Sequence, residues 1–485
     1  MTTTDLPYTR NFISGAWVDA ADGRRMVTSD PATKAPFAEV ARSSAADVDR
    51  AVAAARAAVR ARTWSGMRPL ARGQVLTEMS RILRSRKEQY ASQLTLDCGK
   101  RISEGRAEIE GSARYLEYYG GLAAALEGRY IPLGDGYMDF VVPVPHGVTA
   151  HVIPWNYPAG MVARSLSPAL AAGNVAVVKT PSLDPLSAFI FAAAALEAGL
   201  PEGVLNIVSG AGAEAGAALV SHPDIDHIVF TGSTEVGRSI MHAAAERAVP
   251  VILELGGKSA GIVFADADME NLEASIVGGL FENSGQVCDS MTRLIVEDAA
   301  YDEVVERATT LVAEFSVGPG IDDAQITPLI SAEHLDTVEG FALRAKADGA
   351  RITTGGARRA DLPGHYMAPT VAADVSPEME LNRSEVFGPV LTILRFSTAA
   401  EAVEIANGTI YGLAGGVFTA DLDRALWCAE RLEAGQIHVN EWGVGGVETP
   451  FGGFKQSGLG REKGLESLES YTQSKNVGIR RLTNP

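Results

Sequence analysis

Leu205-Asn206-Ile207-Val208-Ser209-Gly210-Ala211-Gly212-Ala213-Glu214-Ala215-Gly216 is the stretch whose reading decides the fold class. Leu205, Ile207 and Val208, with Asn206 among them, are too short a run for a helix and are followed closely by a glycine turn. An alanine-rich stretch of helical character comes next, so the order is strand, turn, helix. The same order recurs on both sides from Ala150 onward. Val175–Val178, Ile228–Phe230 and Val251–Leu253 are short apolar segments separated by helical ones. Such alternation predicts a parallel sheet covered by helices on both faces. A second α/β series begins near Ile262 and includes Leu294–Val296, Val390–Phe396 and Gln436–Val439. Upstream, Ser44 and Asp47 stand at capping-box spacing and predict a helix to Arg62. Arg68 to Tyr119 continues as helices. Arg129 to Thr149 alternates around glycines and prolines and predicts a long hairpin, and Tyr471 to Leu482 is again strand-like. There is no internal repeat and no low-complexity linker, so changes of pattern delimit the pieces.

The chain has 485 residues, about three domain-equivalents, which is ample for a core without covalent staples. Its 60 acidic against 42 basic side chains give a formal charge of −18, which disfavours nucleic acid and anionic membrane as partners. No apolar run approaches the roughly 18 residues of a membrane helix. The longest, Ala188 to Leu196, is flanked by Pro185 and Glu197. Met1 to Arg10 lacks the basic-then-apolar order of a secretory signal, and a cytoplasmic setting is expected. Cys98, Cys288 and Cys428 are too few for a disulfide framework or a multi-thiolate zinc site. His222 and His227 are badly spaced for a metal, so no metal is expected.

Several motifs carry candidate chemistry. The cluster Gly210 to Gly216 presents backbone N–H groups as a phosphate cradle does, although its spacing is G-x-G-x-x-x-G and a plain tight turn fits as well. Phe230-Thr231-Gly232-Ser233-Thr234-Glu235-Val236-Gly237 again closes a strand and opens a helix. Ser233 there suits a pyrophosphate or simply caps the helix. Gly256-Gly257-Lys258-Ser259 lacks the earlier glycine of a P-loop, because Ile252 stands there. Gly257-Lys258-Ser259-Ala260-Gly261 spells a nucleophile elbow, but the strand-like Ile262-Val263-Phe264 follows where a helix is required. Cys288, in Asn283-Ser284-Gly285-Gln286-Val287-Cys288-Asp289-Ser290, is a candidate nucleophile, whereas Cys98 and Cys428 sit in helical, partly apolar settings that suit core residues. Glu254 ends a strand, where parallel sheets collect functional groups, and a salt-bridge role is its plain alternative.

Taken together, these motifs resemble the aldehyde dehydrogenase superfamily, in the family's order and over essentially the whole chain. The order is Pro154-Trp155-Asn156-Tyr157-Pro158, Val178-Lys179, Phe230-Thr231-Gly232-Ser233 and Leu253-Glu254-Leu255-Gly256-Gly257-Lys258. Gly285-Gln286-Val287-Cys288, Glu385-Val386-Phe387-Gly388-Pro389 and Pro450-Phe451-Gly452-Gly453-Phe454-Lys455-Gln456-Ser457-Gly458 follow. The resemblance implies an α/β fold with a Rossmann-like cofactor domain (1–123 and 146–256), a second α/β catalytic domain (257–465) and a small β oligomerisation arm (124–145 and 466–485). A homodimer or homotetramer is then expected.

The resemblance also implies oxidation of a small-molecule aldehyde to its carboxylic acid with NAD or NADP. Cys288 would attack the aldehyde, Asn156 would hold the oxyanion, and Glu254 would activate water. Pro154, Trp155, Lys179, Ser182, Gly212, Gly216, Ser233, Val236, Glu385 and Phe387 fall at cofactor positions. Tyr157, Met161, Arg164 and Asp289 fall in the substrate tunnel. Glu462 matches a proton-relay position, with a surface pair to Arg461 as its alternative. Many NAD-preferring members carry a glutamate where Ser182 stands, so dual or NADP-leaning use is expected. Arg164 matches the carboxylate-gripping arginine of succinic-semialdehyde dehydrogenases, but their second arginine is missing. Benzaldehyde- and vanillin-type enzymes share the stretch Arg164 to Leu170, which favours an apolar or aromatic aldehyde. A thiol or serine esterase using Cys288 or Ser259 is the alternative from another class.

Overall fold

The computed structural model describes residues 6–482. Residues 1–5, at the start of the expected cofactor domain, and 483–485, at the end of the expected arm, lie outside the described residues. The chain builds two α/β lobes and a β arm.

The first lobe holds an eight-stranded sheet. Its parallel centre runs, edge to edge, Leu205–Val208, Val175–Lys179, Val148–Val152, His227–Thr231, Val251–Glu254. In chain order that is 3-2-1-4-5, the doubly wound arrangement, and the order reverses between Val148–Val152 and His227–Thr231. Such reversals open a crevice at the carboxyl ends of the strands. Val175–Lys179 and Leu205–Val208 are buried along their whole length, as strands covered on both faces must be. The helix Ala45–Ala61 covers one face and starts at the expected capping box of Ser44 and Asp47. The far edge was not expected from the sequence: Gly458–Leu459 returns from the second lobe and pairs antiparallel with Leu253 and Glu254. The cofactor sheet therefore borrows an edge from the segment assigned to the catalytic domain.

The second lobe holds a seven-stranded sheet, parallel except at the edge strand Arg351–Thr354. Consecutive residues of its strands enter different cores. Ile262, Ile295 and Leu394 pack on one face, and Val263, Leu294, Val296 and Ile393 on the other. Ser259 opens the strand Ala260–Val263 and is buried, so the spelled elbow has no helix behind it.

The arm joins the hairpin to the tail. Tyr137–Pro145 pairs with Arg129–Ile131 on one side and with Thr472–Arg480 on the other. Tyr130, Leu133, Tyr137, Met138 and Ile479 leave large apolar surface exposed on it. Among the described residues, no helix is long and apolar enough to cross a membrane. Among them, too, no group of three or more His, Cys, Asp or Glu side chains is arranged to hold a metal.

Candidate active site

The reversal point of the first sheet brings the candidates together. Pro154, Trp155 and Asn156 leave the end of Val148–Val152, Gly232 and Ser233 leave the end of His227–Thr231, and Glu254 ends the next strand. These residues, with Leu255, Gly256, Cys288, Glu385 and Phe387, line one cavity of about 210 Å³ between the lobes.

Cys288 reaches it on a loop of unusual backbone. Asn283, Ser284 and Gly285 are consecutively left-handed, at φ 47, 56 and 74°. Two of the three are not glycine, so the conformation persists only because its surroundings over-determine it. Asn283 Nδ2 donates to Asn156 O at 2.9 Å, and the Asn283 N–H donates to Glu104 at 3.0 Å. Ser284 Oγ donates to Thr327 O at 2.9 Å, and the Thr327 N–H donates back to it. A side chain at Gly285 would meet Gly388 O at 2.3 Å. The Asn156 amide donates to Gln286 O at 2.9 Å through one N–H. A carboxamide has two, so one is left for the cavity.

Burial, then the neighbouring Asp289, push the Cys288 thiol well above its ordinary range, so it rests protonated. Burial likewise lifts the Glu254 carboxyl well above the usual carboxylate range, against the pull of Arg164. Among the described residues, neither Glu254 oxygen has a hydrogen-bond partner. An unpartnered carboxyl of raised affinity for protons, lining the same cavity as a thiol, is the arrangement of a general base.

Arg164 is 4% exposed; its Nε lies 2.5 Å from Glu462 and its guanidinium lies over the Phe451 ring. Glu462 is thus buried and paired with Arg164. The alternative of a surface pair with Arg461 does not hold, because Arg461 donates to the carbonyls of Gly453 and Gly460. Tyr157 donates to Glu282 at 2.8 Å, and Met161 Sδ lies 3.9 Å from Arg164 Nη1. Asp289 is half-buried beside Cys288.

On the cofactor side, Lys179 Nζ donates to Ser182 Oγ at 3.1 Å, and Ser182 donates to Gly210 O at 3.0 Å. Burial lowers the Lys179 ammonium to about 8. A side chain at Gly216 would come within 4.0 Å of Lys179 Cε, while Gly212 faces open space. Ser233 caps the helix Thr234–Ala245 by accepting from the Val236 N–H at 3.4 Å, leaving that helix N-terminus beside the cavity. Glu385 accepts the Gly257 N–H at 3.0 Å, and burial raises it to about 7. A Cβ at Gly256 would fall 2.3 Å from Glu385. Phe387 is held left-handed, at φ 58°. Its carbonyl is 2.7 Å from a His334 ring nitrogen, and its ring packs edge-on to Trp155. Ser233, Glu385 and Phe387 line the cavity that holds Cys288, whereas Lys179, Ser182, Gly212, Gly216 and Val236 lie outside its lining. A capped helix N-terminus, glycines and a carboxylate beside one cavity suit part of a dinucleotide. His334, Asn283, Thr327 and Glu104 were not singled out in the sequence. The run Asn283-Ser284-Gly285, rich in residues that tolerate left-handed backbone, was the one available signal.

A doubly wound lobe faces a second α/β lobe, with thiol, carboxylate and amide together at the crevice. The aldehyde dehydrogenase family profile matches residues 17–477, and the chain belongs to that family. It is an NAD(P)-dependent oxidoreductase. A protein from Burkholderia cenocepacia assigned as an aldehyde dehydrogenase is 45% identical, at TM-score 0.95 over 97% of this chain and 100% of that one. Indole-3-acetaldehyde dehydrogenase from P. syringae, solved with NAD+ and IAA, is 37% identical at TM-score 0.95 over 97% and 96%. Betaine aldehyde dehydrogenase from Staphylococcus aureus, solved with NAD+, is 34% identical at TM-score 0.96 over 98% and 95%.

Proposed function

We propose that this chain oxidises an apolar or aromatic aldehyde to its carboxylic acid, using either NAD or NADP. The observation that carries the reading is the convergence of Cys288, Glu254 and Asn156 on one cavity at the reversal point of the first sheet. Cys288 Sγ, its proton released to solvent, attacks the carbonyl carbon and forms a thiohemiacetal oxyanion. The free N–H of Asn156 and the Cys288 backbone N–H hold the developing oxyanion. The nicotinamide, when bound, supplies the acceptor for the hydride that the thiohemiacetal carbon loses, and the acyl group stays on Cys288 as a thioester. Glu254, ionised, then takes a proton from water, which attacks the thioester and frees the acid and the thiol.

Lys179 and Ser182 would hold the adenosine ribose, Ser233 and Val236 the pyrophosphate side, and Glu385 and Phe387 the nicotinamide end. Gly212 and Gly216 would lie toward the adenine. Lys179 faces no carboxylate from position 182, which supports acceptance of a 2′-phosphate. The commitment of Arg164 to Glu462 supports an aldehyde without its own carboxylate. The exposed apolar residues of the arm support a homodimer or homotetramer. An aldehyde panel run with NAD and NADP in parallel tests the reading. Benzaldehyde should be turned over with both cofactors. A kcat/KM for succinic semialdehyde tenfold above that for benzaldehyde would reverse the substrate assignment.

A further inference from the structure

One amide N–H stabilises an oxyanion only as well as the backbone behind it is aimed. Two buried charges that the mechanism does not use meet that backbone. Lys100 is wholly buried, just past the helix Lys87–Cys98. Its Nζ donates to Asn156 O at 2.9 Å, lies 3.9 Å from the centroid of the Tyr157 ring, and ion-pairs with Glu108. Glu108, 6% exposed on the helix Ile102–Leu122, uses its other oxygen to accept the N–H groups of Ala159 and Gly160, both at 2.9 Å. Those are unpaired donors in the first turn of the helix Pro158–Ala172, where Pro158 brings no N–H of its own. One ion pair therefore grips the chain at residues 156, 157, 159 and 160. Asn156 O takes a second bond from Asn283 Nδ2, so the same carbonyl is tied to the cysteine loop.

We infer that the Lys100–Glu108 ion pair is a positioning device for the oxyanion-binding amide of Asn156, fixing it against the Cys288 loop. The inference rests on the reading of Asn156 given above. A fold needs no ion pair at a wholly buried position, because well-packed apolar residues serve stability there as well or better. An apolar pair, however, offers neither a donor to Asn156 O nor an acceptor to Ala159 and Gly160. Lys100 and Glu108 touch no reacting atom and act through Asn156.

A double-mutant cycle on kcat/KM tests this. Lys100→Met/Glu108→Gln removes both charges at once and keeps an acceptor for the helix N–H groups, so no lone charge is left buried. Asn156→Ala, measured first, should cost about 100-fold or more, the loss of one oxyanion donor. The pair variant should cost roughly 10- to 100-fold in the native background, the scale of a displacement near 1 Å. In the Asn156→Ala background it should cost less than about threefold, because coupled sites are not additive. Cofactor Kd should stay within about twofold in every variant. Equal losses in both backgrounds would overturn the proposal and leave the Asn156 reading standing, as would full activity of the pair variant. A loss below threefold for Asn156→Ala alone would sink that reading, and the proposal with it, before the pair is touched. Lys100→Arg, which keeps the charge and moves its donors, is the second probe if the pair variant does not fold. It should lose activity in the native background only, and equal losses in the two backgrounds would again overturn the proposal.

Discussion

Replacing Ser182 by glutamate should make the protein refuse NADP. Ser182 is half-buried, with Oγ 3.1 Å from Lys179 Nζ, the cation we propose to face the adenosine ribose. A carboxylate there would pair with Lys179 and remove the attraction that a 2′-phosphate would otherwise enjoy. It would also face that phosphate, which carries about −1.5 to −2 charges, comparable to other phosphomonoesters. At roughly 5 Å and an effective dielectric near 20, each unit of repulsion is about 3 kcal/mol. Solvent at the cleft mouth reduces the net effect to about 2–3 kcal/mol. That corresponds to a roughly 30- to 150-fold fall in kcat/KM for NADP. With NAD the new carboxylate accepts ribose hydroxyls, so kcat/KM should hold or rise up to about tenfold, one charged hydrogen bond's worth. Initial rates of reduced-cofactor absorbance with each cofactor, at fixed aldehyde, provide the assay. A fall below threefold with NADP would refute the reasoning, because Lys179 and position 182 would then not meet the 2′-position.

Arg164→Met should destabilise the protein by about 3–5 kcal/mol, because Glu462 is left buried and unpaired. Arg164→Met/Glu462→Gln should recover most of that in a thermal melt, and a double variant as unstable as the single one would show that the pair is not the cause. The ratio of kcat/KM for succinic semialdehyde to that for benzaldehyde should move less than threefold in the double variant, since Arg164 is not free to grip a substrate. The pH profile follows from Glu254, whose carboxyl burial holds well above the usual range. A base must be ionised, so kcat should rise with pH, about tenfold per unit below that elevated pKa. Glu254→Gln should lose that limb, and an unchanged profile in this variant would exclude Glu254 as the base. Iodoacetamide should modify one thiol in the native protein and abolish activity through Cys288. Cys98 is buried with Sγ 3.0 Å from Leu94 O, and Cys428 is wholly buried, so labelling of either in the folded state would contradict the assignment.

Residues close together in the chain were legible, and residues joined only by folding were not. The run from Leu205 to Gly216 announced strand, turn and helix because a short, mostly apolar run and a glycine carry that pattern locally. The opening turn is wide, with the Gly216 N–H reaching Ala211 O, and Glu214 pairs with Arg24, neither of which periodicity shows. Cys288 and Glu254 stood out by residue type and by place at a loop or strand end. The Arg164–Glu462 and Lys100–Glu108 pairs did not. The first joins positions almost three hundred residues apart, and in the second Lys100 and Glu108 look like any charged residues near a helix start. The two-residue strand Gly458–Leu459 is too short for any alternation to register, yet its backbone pairs with Leu253 and Glu254.

The central claim is that Cys288 carries the acyl group and Glu254 releases it. Glu254→Gln, mixed with benzaldehyde and NAD, quenched in acid and weighed intact, tests it most directly. The chain should gain the mass of the aldehyde less two hydrogens, on the peptide that contains Cys288, after one equivalent of reduced cofactor has formed. Reduced cofactor at one equivalent with no adduct on that peptide, or an adduct that persists equally in the native enzyme, would contradict it.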